Sequence, residues 1–150
     1  MLEHIKTGSE ICIGVTLVDG IVLARSAFHH SINYKSVVIF GKAEEINDPI
    51  EKTKALKIIT EHIIKGRWDD ARKPNKKELK ATSVFSLKLN EVSAKVREGG
   101  PVDEKEDMDL NVWAGVLPLG IKVDKAIPDT ILDKNVSIPE YLLNYRKPQS

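Results

Sequence analysis

"EICIGVTLVDGIVLARSAFHHSINYKSVVIFGKAEEI", residues 10–46, is the stretch on which the fold turns. From Glu10 to Val18 apolar residues alternate: Ile11, Ile13, Val15 and Leu17 share one face, Cys12, Gly14, Thr16 and Val18 the other. A period of two is the signature of a strand. Asp19-Gly20 reads as a tight hairpin turn, because a type I′ turn needs positive φ at both central residues, and Ile21–Ser26 returns as the partner strand. The next residues, "SAFHHSINYKS", are crowded with hydrogen-bonding side chains and run straight into the apolar Val37–Phe40. Tyr34–Ile46 is expected as a long strand, its first half apolar on both faces, as in a barrel or a sheet covered on each side. Cys12 fits as a small buried hydrophobe.

Working outward, Met1–Lys6 reads as the end of a helix closed by Gly8. On the other side, "NDPIE" starts a second helix. Asp48 caps it, Pro49 takes the first turn and Glu51 sits three residues past the cap. Leu56, Ile59 and Ile63 keep helical spacing until Gly66. "KPNKKELKA" gives a short helix with Asn75 as cap and Glu78 at its third position. Thr82–Leu89, Val92–Val96 and Val112–Leu117 read as strands, and "EGGPVDEKEDMD" as a solvated loop. A last short helix is expected near Tyr141–Tyr145. The whole predicts a single domain over 1–150, with 121–150 a tail. Its class is mainly β with flanking α-helices, antiparallel and barrel-like.

The 150 residues carry 41% apolar content, enough for a real core. Twenty-three basic and 22 acidic residues leave a net charge of +1, which argues against a nucleic-acid protein relying on a broad basic surface. One cysteine excludes an intramolecular disulfide. Neither a signal peptide nor an apolar run of bilayer length is present, so a cytoplasmic protein with no membrane partner is expected.

Phosphate-loop, zinc-protease, CxxC and nucleophile-elbow motifs are absent. His29 and His30 are adjacent and face opposite ways in extended backbone, so no metal site is expected there. The loop does offer hydroxyls, an amide, imidazoles and cations, a set suited to a ligand with a phosphate and a polar heteroaromatic edge. Read without that ligand, it is a solvated connection. Lys95 and Arg97, two apart on a strand, fit an anion clamp or a protected sheet edge. Trp113 fits a stacking residue or, better, a core or interface residue, and Trp68 is expected to pack rather than bind.

Taken together, "LVDGIVLARSAFHHSINYKSVVIFGKAEEINDPIEK", "GRWDDAR", "KELKAT", "SAKVREGGPVD" and "VWAGVLPL" resemble, in order and spacing, one family. It is the FMN-binding split-barrel flavoproteins of the pyridoxamine 5'-phosphate oxidase superfamily, in the nitroimidazole-reductase-like branch. The resemblance covers about Met1 to Leu119. It implies an antiparallel split β-barrel of Greek-key type that pairs as a homodimer, with FMN in a groove contacted by both protomers. It places His30, Ser31, Asn33, Tyr34 and Ser36 at the groove, with Lys95, Arg97 and Trp113 completing the site. No catalytic side chain stands out. The expected activity is an oxidoreductase passing electrons through FMN to a small-molecule oxidant such as a nitro-aromatic or quinone-like compound. The alternatives are a non-catalytic FMN- or haem-binding protein, or a cofactor-free dimeric remnant. The remnant reading follows from an expected lack of the family's N-terminal strands and their Ser-rich, basic phosphate segment.

Overall fold

The computed structural model describes residues 2–145. Strands β1 (Glu10–Leu23), β2 (Ser31–Glu45), β3 (Phe85–Leu87), β4 (Glu91–Arg97) and β5 (Gly115–Pro118) form one sheet in the order β3-β2-β1-β5, with β4 also pairing β2. Helices α1 (Leu2–Lys6), α2 (Pro49–Ile63), α3 (Arg67–Asp70), α4 (Lys76–Ala81) and α5 (Glu140–Leu143) flank it in sequence. The mainly β, antiparallel class expected from the sequence is the one observed. The chain divides into two compact units. Among the described residues, one holds those up to Ala43 with Leu87–Ile121, the other Glu44–Ser86 with those from Lys122.

In the first unit, β1 and β2 pair antiparallel over their length, from Glu10↔Lys42 to Val22↔Ser31. This overturns the expected hairpin turn at Asp19-Gly20. β1 runs through those residues, and the register shifts between Val18 and Gly20, so Asp19 is the extra residue of a β-bulge. Gly20 does not adopt positive φ. Its missing Cβ has a different use: one built there would stand 3.1 Å from Val116 Cγ1 and 3.2 Å from the Leu117 carbonyl oxygen. Glycine therefore lets β5 close on β1, in the register Gly20↔Pro118 to Leu23↔Gly115. The Asp19 carbonyl accepts from Leu119 N–H at 2.9 Å. The true hairpin connection is the polar segment between Leu23 and Ser31, built around a 3-10 turn at Ala27–His29 that Ser26 caps.

Burial along this hairpin is uneven. Val22 and Ala24 are buried, but Ile13 is 39% and Val15 53% exposed. Cys12 is exposed as well, against expectation. It sits on the bare half of β1, where alternation marks a face but cannot say whether anything covers it.

In the second unit the cap signals read true. Asp48 accepts from Ile50 and Glu51 N–H, opening α2 behind Pro49. Asn75 and Glu78 form a reciprocal capping box on α4. Lys52, buried, sends its ammonium to the Leu79 and Thr82 carbonyls at 3.2 and 2.9 Å. It thereby satisfies acceptors at the end of α4 that the helix itself leaves open. Gly66 turns the chain at φ 90°, where a side chain would be strained. Trp68 is buried, as expected.

Candidate functional site

Antiparallel pairing places directly opposed residues on one face. β2 pairs with β1 through Thr16↔Ser36 and Val18↔Tyr34, and with β4 through Ser36↔Lys95 and Tyr34↔Arg97. One face of the sheet thus carries a polar row, Thr16–Ser36–Lys95, beside Tyr34. The Thr16 and Ser36 hydroxyls lie 3.0 Å apart. Lys95 Nζ stands over the Tyr34 ring at 5.9 Å from its centroid, within cation–π range. The opposite face is apolar, with Ile13, Ile39 and Val92 in one row and Val15, Val37 and Ala94 in the next.

Arg97 does not join Lys95 in an anion clamp. Its Nη1 donates to Asn33 Oδ1 at 2.6 Å, while Asn33 Nδ2 donates to the Gly99 carbonyl at 3.0 Å. Asn33 is buried with both ends of its amide engaged, so its work is to hold the chain after β4 against β2. Ser31 Oγ is buried and has no hydrogen-bond partner among the described residues, and Arg25 Nε is in the same state. Trp113, 66% exposed, lies over Gly115, where a Cβ would come within 2.9 Å of the indole. The expectation that it fills a core is not met within this chain.

His30 closes the polar loop. Its Nδ1 accepts from Ala24 N–H at 3.0 Å. That nitrogen is therefore unprotonated and the proton sits on Nε2, which makes the outer edge of the ring a donor. The loop is fixed from the other side by Asp103, which the sequence had placed in a solvated acidic run. Its carboxylate, with a side chain only 2% exposed, accepts from Arg25 N–H at 2.7 Å and Arg25 Nη1 at 2.8 Å. Burial alone would raise the Asp103 pKa, but the Arg25 hydrogen bonds and charge, with the Ser26 N–H, hold it below the ordinary value. At the same junction His29 Nε2 stands 3.7 Å from Glu104 Oε1. No single residue type announces this latch; the only cue is Asp103 following the "GGPV" break.

The structure thus brings Tyr34, Ser36 and Lys95 together on one sheet face. His30 is at the loop that feeds their strand, while Asn33 and Arg97 become supports beneath it. Among the described residues no cluster of three or more histidine, cysteine or carboxylate side chains has metal-binding geometry. No helix among them is long and apolar enough to cross a membrane.

The sheet, paired about a long β1–β2 hairpin, thus carries a polar row on one face and apolar rows on the other. A profile of pyridoxamine 5'-phosphate oxidase matches residues 1–96, and the chain belongs to that family. Among solved structures it is similar to the flavocytochrome Anf3 from Azotobacter vinelandii, with 40% identity and a TM-score of 0.86 over 92% of this chain and 64% of that one. It is also similar to the FAD and heme binding protein from Mycobacterium smegmatis, with 32% identity and a TM-score of 0.89 over 95% of this chain and 70% of that one. The chain therefore spans a little under two thirds of the flavocytochrome's length. No curated protein matches.

Proposed function

We propose that this chain is an FMN-binding oxidoreductase that works as a homodimer and reduces a small oxidant of the nitro-aromatic or quinone class. The observation that carries the reading is the Thr16–Ser36–Lys95 row with Tyr34 on one face of a sheet whose other face is apolar. A flavin nucleotide is a flat apolar body with a polar edge and an anionic tail, and such a surface answers each part. These residues fit the group. Tyr34 and Ser36 serve the ring edge, Lys95 attracts the phosphate, and His30 donates from Nε2. When bound, the flavin supplies two-electron redox chemistry. The protein's part is to orient it, exclude water and keep the His30 proton on Nε2 through the Ala24 bond. Ser31, Asn33, Arg97 and Trp113 complete the proposed set, with Asn33 and Arg97 acting through the strand they brace. The exposed apolar rows of Ile13 and Val15 suit cover by a second copy, which supports the dimer.

A second reading rests on the two similar structures, one described as a flavocytochrome and the other as an FAD and heme binding protein: the chain holds haem beside or instead of FMN. The visible spectrum separates the two. Purified chain mixed with FMN and desalted is expected to stay yellow, bleach with dithionite and recover in air. A Soret band after hemin addition and desalting would favour the haem reading. A colourless chain after both would overturn the cofactor assignment.

A further inference from the structure

The second unit contains a cleft of about 440 Å³ unconnected with the flavin residues in sequence. It lies between the end of α2 with the turn after it and the α5 region, and is lined by Glu61, His62, Ile63, Lys65, Tyr141, Asn144 and Tyr145. Both tyrosine rings are held by their hydroxyls. Tyr141 Oη donates to Asp70 Oδ2 at 2.7 Å and accepts from Arg67 Nη1 at 3.2 Å. Tyr145 Oη donates to the Ile63 carbonyl at 3.2 Å. The aromatic walls are fixed in advance, so a flat guest pays little to order them.

The polar groups of the cleft are unevenly committed. Among the described lining residues Glu61 alone carries a carboxylate, and its two oxygens accept from the Gly66 and Trp68 N–H groups, each at 2.8 Å. Those bonds, Gly66 first, hold its pKa below the ordinary value, so it is ionised and already engaged. The carbonyls at the end of α2 are engaged too: Thr60 accepts from Ile64 N–H, Ile63 from Tyr145, and Ile64 from Arg67 N–H. Among the described residues, the Lys65 ammonium, the His62 imidazole and the Asn144 side-chain amide have no hydrogen-bond partner, although the Lys65 charge also favours the ionised Glu61. The first offers only donors and the others can donate as well as accept, so a guest with acceptor oxygens at the Lys65 end suits all three.

We propose that this cleft is a binding site for a small aromatic acid. The ring lies against Tyr141, Tyr145 and Ile63, and the carboxylate faces Lys65 and Asn144. The site is independent of the flavin reading, since none of its residues belongs to the flavin set.

The test is a titration of the ¹⁵N-labelled full chain with sodium benzoate, read by amide shifts and repeated with FMN present. Saturable shifts confined to residues 61–66 and 141–145 are expected in both cases. Benzyl alcohol, which keeps the ring and loses the charge, should bind about tenfold more weakly, as should benzoate to Lys65→Met, while Lys65→Arg retains binding. Lys65 is exposed, so these variants keep the fold. Shifts that rise without saturating, that saturate elsewhere, or that are equal for the acid and the alcohol would overturn the proposal. Binding of benzoate by a chain that retains no flavin would leave it standing while the flavin reading falls.

Discussion

The two halves of the β1–β2 hairpin are built from the same kind of residue and end in opposite conditions. Near the loop, Val22 is fully buried and Asn33 is buried with both amide ends engaged. In the middle, Val15 and Ile13 alternate just as regularly and stand open to solvent. The difference comes from what crosses the loop end. There β5 closes on Gly20–Leu23, Asn33 is tied to Gly99 and Arg97, and Asp103 is tied to Arg25. Period-two patterning says which side chains share a face; it says nothing about what lies above them.

The comparison breaks first at Val22. Val22→Ala removes two methylene equivalents from a site with no solvent access and should cost about 2 kcal/mol. Val15→Ala should cost less than about 0.5 kcal/mol if that face stays bare. Urea midpoints for both variants at several protein concentrations decide the matter. A Val15→Ala penalty matching that of Val22→Ala, growing with concentration, would show the face covered by a second copy in solution.

Asp103→Asn attacks the junction rather than the core. The amide keeps the shape but loses the charge that faces Arg25, so the loop carrying His29 and His30 should open more often. Hydrogen exchange at the Arg25 amide should speed roughly tenfold, the factor expected for loss of one charge-assisted bond, with the Val22 amide little changed. Equal acceleration at both would mean that the loop and the strand end open as one unit.

How much of this was legible follows from where the information sits. Caps are local, and Asp48, Asn75 with Glu78, and Gly66 were readable because each acts within a few residues. The polar row was half readable: Tyr34 and Ser36 were found in the loop-strand sequence, but their meeting with Lys95 depends on a pairing across some sixty residues. Asp19-Gly20 misled because the same dipeptide suits a turn and a bulge. The choice was made by β2, which offers β1 a partner on both sides of the bulge, and by β5, which needs the glycine for close approach. Arg97 misled in the same way: strand parity put it with Lys95, but at the strand end its long side chain reaches Asn33 instead.

The smallest effect is expected from acid. Glu78 has its pKa lowered to about 2 by the Arg72 guanidinium and the Asn75 N–H, and Glu61 and Asp103 are also held low. Each has a folded pKa below its unfolded one. Its contribution is therefore fully present above the ordinary carboxylate range, about 4, and is lost as pH falls toward the folded value. Stability should stay level from neutrality down to that range and decline below it. Glu78→Gln should make the decline shallower by only a small amount, because both partners are well exposed and water screens the pair. Asp103→Asn should flatten it more, because its carboxylate is the one closed off from solvent. If the two variants flatten the curve equally, the loop latch is no more sheltered than a surface pair, and the contrast between the covered and open halves of the hairpin would rest on Val22 and Asn33 alone.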